Sequence, residues 1–542
     1  MVPFYRVLTF VLPLLYRGII VATAAQTAAS PRVMMRKFPF CRSSSRPLFE
    51  GLGGKMWKKV LGLRSGSQLS VEPPSRYRVF LAVGSNLGDR HYNIATALEL
   101  LCASNGTKLL RTSFLHHTSP MYVVDQPAFL NGAVELETEL DPPSLLRKVK
   151  WVEDELGRNF SEVRNGPRPI DLDLLFYDRI HDPKSEDEKL SFSPLNVDTP
   201  TLVVPHPVMQ EREFVLAPLR EVAGEEYEHP VLNAPIGDLL RNLQTTSSGA
   251  EPSAFRVLCL PRGRMLYFNE TIIMGILNIT PDSFSDGGRW NSSVDVAVQR
   301  ALEMEEQGAG IVDIGGESTR PGAKEVPTEE QIRRIVPIIH KIREISDIPI
   351  SVDTRHAAVA KAAVEAGADI VNDVSGGTFD EKMLVTVAKL RVPIILMHMR
   401  GTPESMQAMT EYDDVVSEVA RGMLDRSKAA EKAGIPRWQQ VMDPGIGFAK
   451  NLEGNLSLLK HLAEIRTIVG NLPILLGTSR KGFLGKLTGV DDARERDYGT
   501  IGSCVSALCL GRGPIGCNIL RVHNVKASKD AALVMDAIRS AK

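Results

Sequence analysis

Cysteine is scarce: Cys41, Cys102, Cys259, Cys504, Cys509 and Cys517 are the only six in 542 residues. No two form a Cys-x-x-Cys pair and no His-x-x-x-His accompanies them. That argues against a zinc site or a disulfide framework and for a reducing compartment. An excess of one charge is also lacking. With 64 basic and 65 acidic side chains, the net charge is −1. Nothing in that balance suggests nucleic acid, and an anionic ligand must be met by local charge. No segment reaches about 18 uncharged apolar residues, so no membrane partner is expected. The pattern Gly-x-x-x-x-Gly-Lys-Ser/Thr does not occur, which excludes a P-loop.

The first 49 residues have no acid and seven bases: Arg6, Arg17, Arg32, Arg36, Lys37, Arg42 and Arg46, with serines clustered at 43–45. That profile predicts an organelle transit segment within a leader spanning residues 1–75. The mitochondrial matrix is favoured over a plastid. A secretory signal is the rival, because 7–16 is apolar and alanines follow. Basic residues and serines continue well past any such cleavage point. An internal start at Met56 would give a cytosolic form.

Beyond the leader two blocks are read, 76–244 and 266–542, joined by a polar linker at 245–265 that includes Thr245, Ser247, Gly249 and Pro252. In the first block 181–189 is charged and reads as a surface loop. The second block has eight short apolar runs, at 272–277, 311–314, 349–352, 369–371, 393–397, 440–442, 473–476 and 517–522. Helix-length amphipathic stretches separate them, including 294–307, 328–345, 357–366 and 412–433. Eight strands alternating with helices predict a (β/α)8 TIM barrel. A doubly wound open sheet is the alternative.

A polar cluster follows each run: Asn278 to Asp282, Gly315 to Arg320, Asp353 to Arg355, Asn372 with Asp373, His398 with Arg400, Asp443 to Gly445, Thr478 to Lys481, and Arg521 with His523. In a barrel these converge on the mouth at the carboxyl ends of the strands. Taken singly, an Asp at a strand end is more often a helix cap, and a His can be a satisfied core residue. Eight clusters in register favour a site.

In the first block Asp171 and Asp173 stand at i and i+2, so on a strand both carboxylates share one face. Such a pair can grip Mg2+ bridging nucleotide phosphates, with Arg164, Arg168, His206 and Arg212 supplying positive charge. Alone, the pattern is weak, and two exposed acids on an edge strand are the commoner case.

The barrel block resembles the dihydropteroate synthases. The likeness rests on Met274-Gly-Ile-Leu-Asn-Ile-Thr-Pro-Asp282, Gly315-Gly-Glu-Ser-Thr-Arg-Pro-Gly322, Asp443-Pro-Gly-Ile-Gly-Phe448 and Gly477-Thr-Ser-Arg-Lys-Gly482. The resemblance implies condensation of a dihydropterin-methyl pyrophosphate with p-aminobenzoate. Asp353, Asn372, Asp443 and Lys481 would face the pterin. Asn278, Arg521 and His523 would hold pyrophosphate, Asn278 also meeting Mg2+. Thr319 and Arg320 would lie on a closing loop, and Ser479 near p-aminobenzoate. A pterin-binding methyltransferase is the rival, disfavoured by the Ser-Arg-Lys and Arg-Val-His clusters.

The first block resembles the 6-hydroxymethyl-7,8-dihydropterin pyrophosphokinases across roughly 78–243. The likeness rests on Gly84-Ser-Asn-Leu-Gly-Asp89, Phe129-Leu-Asn131, Arg164-Asn-Gly-Pro-Arg168 with Asp171 and Asp173, and Val204-Pro-His-Pro207. A ferredoxin-like α+β fold is implied, with ATP as co-substrate. Thr118, Met121, Phe129, Asn131 and Phe214 would form the pterin pocket. Glu153, Arg168, His206 and Arg212 would serve ATP. The chain departs from the family pattern at Asn165, Pro207 and Phe160 and in a longer 181–197 insert. The alternative is a silent or regulatory first block beside an active barrel. At least a homodimer through the barrel is expected.

Overall fold

The strand Tyr77–Ser85 is buried on both faces, which its near-continuous apolar sequence requires. It lies between antiparallel partners Phe129–Thr138 and Asp171–His181. Its odd-numbered side chains (Val79, Leu81, Val83) pack with the helices Arg90–Cys102 and Pro142–Glu155. On the other face Phe80 meets the helices Glu213–Ala223 and Ile236–Thr246. This is the expected α+β sandwich. Asp89 and Asp141 cap the first two helices, accepting from Tyr92 N at 3.0 Å and Ser144 N at 2.9 Å. The computed structural model describes residues 75–103, 106–161, 163–183, 189–246, 254–279, 290–318, 320, 322–509 and 516–541. The expected leader to residue 74, Thr319 and Asp282 lie outside these.

The second block is a parallel barrel. Its strands run Ile272–Asn278, Ile311–Gly315, Ile350–Asp353, Ile370–Asp373, Ile394–Met397, Gln440–Asp443, Leu475–Leu476 and Ile519–Val522. Neighbours pair in sequence order, and the last strand returns to the first. A parallel bridge between Met442 and Ile474 links the remaining edges. The barrel reading therefore holds over the open sheet. Helices such as Thr328–Ile345 and Val415–Ala433 form the outer layer. Asp414 caps the latter, accepting from Val416 N and Ser417 N; the sequence reading had placed its start at residue 412.

The linker expectation needs correction. Its later part is a β-hairpin, Ala254–Cys259 with Met265–Tyr267. One edge pairs with Leu115–Thr118, so the hairpin extends the first block's sheet. Its apolar side chains Leu258, Leu260, Leu266 and Phe268 pack with residues at or near the strand starts of the barrel, Met274, Ile311, Ile370 and Ile395 among them. The hairpin is thus part of one sheet and the floor of the barrel, which polar composition at 245–253 concealed. Within the charged 181–189 stretch, His181 ends a strand, and Ser191–Pro194 pairs back onto it.

From residue 75 onward the described residues pack as one unit. Phe114 of the first block is part of the barrel's outer core, and Trp438 of the barrel is part of the first block's core. Arg391 pairs with Glu99 at 2.7 Å, and Arg437 N donates to Thr112 Oγ1 at 3.2 Å. Arg391, Arg437 and Trp438 all precede a barrel strand, so the first block sits against the amino-terminal end of the barrel.

Candidate active sites

The first block's cavity measures about 400 Å3. The strand pairing sets Asp171 opposite Gly84, and Gly84 opposite Asn131. A Cβ on Gly84 would sit 2.6 Å from Asn131 Oδ1, so only glycine leaves room for that amide. Asn131 donates to Thr118 Oγ1 at 2.7 Å. Thr118, Met121, Phe129, Asn131, Phe214, Arg164, Arg168, His206, Arg212, Asp171 and Asp173 all line this one cavity. Phe160 and Asn165, two of the departures, line it as well.

Arg168 and Arg158 both reach Asp171, at 2.7 and 2.6 Å. Burial alone would raise this carboxyl, but the two guanidiniums hold it below its ordinary range. Asp173 behaves oppositely: burial, then repulsion from Asp171, lifts it to about 6. No described group donates a hydrogen bond to its carboxylate. Two adjacent hard oxygen groups, one without a partner, are a donor set suited to a cation such as Mg2+. Burial and Arg212 lower His206 to about 4. Arg212 lies over Phe214 at 5.8 Å, and Arg168 over Phe129 at 5.3 Å.

Glu153 is fully buried and does not line the cavity. It accepts from Arg158, from Lys150 at 2.8 Å and from Leu172 N at 2.9 Å. Its contacts therefore place it behind Asp171, on the far side of Arg158 from the cavity. Two residues went unassigned in the sequence reading. Arg158 is one; a basic residue after Gly157 was its only signal. The other is Asn86, which accepts from Arg168 N at 2.7 Å and donates to Pro127 O at 3.0 Å. It fixes two pocket loops to one another.

At the barrel mouth Arg521 donates through Nε to Asp313 and through a terminal nitrogen to Asp353, each at 2.6 Å. Asn372 donates to the same Asp313 oxygen at 3.2 Å. The second oxygens of Asp313 and Asp353 are buried without partners, a vacancy for N–H donors of a ligand. Burial, countered by Arg521 and reinforced by Asp313, raises Asp353 to about 7. Asp313 was missed because it lies inside the apolar run 311–314; an acid in a parallel strand was the available signal.

Asp443 accepts from Gly445 N at 2.7 Å. Burial raises it despite Lys481. Lys481 donates to Ile446 O, stands 4.5 Å over the Phe448 ring, and is lowered to about 8 by burial. Ser479 Oγ and His523 Nδ1 are 2.9 Å apart. Burial, then Arg480 and Arg521, depress His523 to about 3, so it is neutral. Asn278 ends its strand, half-buried, beside Gly315. Arg320 is exposed on its loop. Some clustered residues serve the scaffold instead. Asp373 is held by its own turn through Ser375 and Gly377, Arg355 meets Glu317 at 3.2 Å, and Arg400 meets Glu418 at 2.6 Å.

The family model described as 7,8-dihydro-6-hydroxymethylpterin-pyrophosphokinase matches residues 80–224, and that described as pterin binding enzyme matches 274–523. The protein named folate synthesis bifunctional protein, mitochondrial, of Pisum sativum is 39% identical over 510 residues, which are 89% of this chain and 94% of that protein. The chain belongs to the bifunctional folate-synthesis family. A namesake in Arabidopsis thaliana is 40% identical over 88% of this chain and 85% of its own. The dihydropteroate synthase of Synechocystis is 45% identical over 52% of this chain and 94% of its own. The structure titled as Xanthomonas albilineans dihydropteroate synthase with 4-aminobenzoic acid gives a TM-score of 0.48 at 42% identity, over 52% of this chain and 97% of that one. This member of the bifunctional folate-synthesis family is accordingly a two-domain enzyme, a pyrophosphokinase followed by a dihydropteroate synthase.

Proposed function

We propose that the first cavity moves pyrophosphate from ATP to the hydroxymethyl group of a 6-hydroxymethyl-7,8-dihydropterin, releasing AMP, and that the barrel mouth joins the product to p-aminobenzoate. The observation that carries this reading is the pairing of an arginine-flanked Asp171–Asp173 couple with Asn131 in one cavity.

In the kinase, Asn131 and Thr118 read the pterin ring edge, and Phe129 and Phe214 flank it. Asp171 and Asp173 would hold Mg2+, which when bound neutralises phosphate charge and orients the reacting phosphorus. Arg164, Arg168, Arg212 and neutral His206 face the nucleotide phosphates, while Glu153 positions Asp171 through Arg158.

In the barrel, the free oxygens of Asp313 and Asp353, with Asn372 and Asp443, offer acceptors to the pterin amino and ring N–H groups. The pterin delocalises the cation left as pyrophosphate departs, and the aniline nitrogen needs no strong base. The work is orientation and stabilisation of a leaving anion. Arg521, Asn278 and His523 would surround that anion, and Lys481 would face the pterin. Asn278 would also meet Mg2+, and Ser479 would lie near p-aminobenzoate. Arg320, exposed on its loop, would reach toward the bound substrate.

A mitochondrial location fits the acid-free basic leader and the names of the plant relatives. A homodimer through the barrel fits the family. The deciding experiment supplies ATP, Mg2+, the pterin and p-aminobenzoate, and resolves products by mass. AMP, pyrophosphate and dihydropteroate together are expected. Dihydropteroate formed only from pre-made pterin pyrophosphate would mean that the first domain is silent.

A further inference from the structure

A second cavity, of about 300 Å3, lies where the domains meet. Three pieces of chain build its wall: the first domain gives Arg111 and Arg220, the floor hairpin gives Arg256, and the barrel gives Arg437. Only Glu221 and Glu225 oppose these four guanidiniums on the wall. Glu221 is already committed. It accepts from Arg256 Nε at 2.8 Å and Phe114 N at 2.7 Å, and His116 lies 3.2 Å away. Glu225, which is exposed, is shared between Arg220 at 3.5 Å and Arg241 at 3.7 Å.

The surplus charge therefore rests on Arg111 and Arg437. Arg111 has Glu135 no nearer than 3.8 Å and donates to Val222 O at 3.2 Å. Arg437 has no carboxylate within 4 Å among the described residues. One of its terminal nitrogens donates to Gly470 O at 2.6 Å, and its buried Nε has no partner. Burial lowers its basicity; Glu431 acts the other way, and Arg111 and Arg256 add to the lowering. Two guanidiniums that repel one another on the wall of one cavity are what a bridging anion would relieve.

We propose that this interdomain cavity binds a small phosphate-type oxyanion, gripped by Arg111 from the kinase and Arg437 from the synthase. Guanidinium forks match phosphate oxygens in bidentate geometry. The space corresponds to about ten waters at roughly 30 Å3 each. That is ample for orthophosphate or pyrophosphate. Because its ligands come from both domains, the anion fastens one to the other.

The test is calorimetric titration of the full chain. The kinase cavity is first filled with a non-hydrolysable ATP analogue and pterin, and the barrel with pterin pyrophosphate in the absence of p-aminobenzoate. Orthophosphate and pyrophosphate are then titrated in separate arms, and whichever binds names the occupant. One further site per chain is expected. R111E and R111Q/R437Q should weaken it at least tenfold while both catalytic rates stay unchanged, and R111K should retain most of it. Arg111 is half exposed, so R111E tests the idea even if the double variant does not fold. No additional binding in wild type, or equal binding in a folded R111E protein, overturns the proposal.

Discussion

Replacing Arg521 with Met removes the one side chain among the described residues that bonds both Asp313 and Asp353. Both carboxylates are buried. Breaking such a pair by deleting one partner costs about 3–5 kcal/mol. The cost should also depend on pH, and with a definite sign. In wild type the Asp353 carboxyl is raised to about 7, against ~3.9 in an unfolded chain. A carboxyl raised by folding holds its proton more tightly in the native state. Its contribution is therefore most favourable in acid and declines as pH climbs from about 4 to about 7. Without the guanidinium the rise is larger, and the decline continues above 7. The R521M protein should then lose a further ~1.4 kcal/mol per pH unit relative to wild type on the alkaline side. Pulse proteolysis in urea between pH 6 and 9, following the barrel fragment, measures this. Adding Asp353→Asn to R521M should flatten the slope and restore part of the stability without restoring dihydropteroate formation. A loss under about 1 kcal/mol, or one that does not change with pH, would refute the interdependence of these three residues.

Other expectations concern both domains. Asp171→Asn or Asp173→Asn should reduce AMP release by at least the ~10–100-fold typical of losing even an outer-shell metal partner, while pre-made pterin pyrophosphate is still converted to dihydropteroate; unaltered AMP release would contradict the assignment. Burial lowers Lys481 to about 8, so its charge is lost as pH rises through that value, and the synthase kcat/KM should fall above it. Lys481→Arg should postpone the fall, and superimposable profiles would remove Lys481 from the pterin site. Burial would raise Glu221, but Arg256, His116 and Phe114 N hold it at about 2. That stabilisation is present above about 4.5 and lost as pH drops toward 2. Glu221→Gln should therefore cost up to ~3 kcal/mol at pH 7 and little near pH 2, and calorimetry should show one unfolding transition splitting into two.

Most of the barrel was legible because parallel strands buried on both faces must be short apolar runs. The run read at 349–352 is the strand Ile350–Asp353, and that at 440–442 is Gln440–Asp443. Four of the paired strands extend to the polar residue that ends the run, at Asn278, Asp353, Asp373 and Asp443, which helps set the clusters on one rim. Residues whose role depends on long-range partners were less accessible. Asp313 reads as an intruder in a core strand until Arg521, 208 positions away, is seen beside it. Lys450 gave no signal, yet it is buried, donates to Phe448 O at 2.8 Å, and sits 3.2 Å from His398 Nδ1. It ties the loop after Asp443 to the neighbouring strand end. Glu153 shows the opposite error: an acid near a nucleotide motif invites a ligand role, while burial behind Arg158 gives it a bracing one. The hairpin at 254–267 escaped notice because its pairing partner is more than a hundred residues upstream.

That hairpin also determines how the intermediate travels. It seals the amino-terminal end of the barrel and attaches the kinase there, whereas the synthase residues gather at the carboxyl end. Among the described residues, apolar side chains of the hairpin and the barrel strands pack together at that end. The molecule released by one domain has to go around the outside to reach the other. Fusion in this architecture secures equal numbers of the two catalysts.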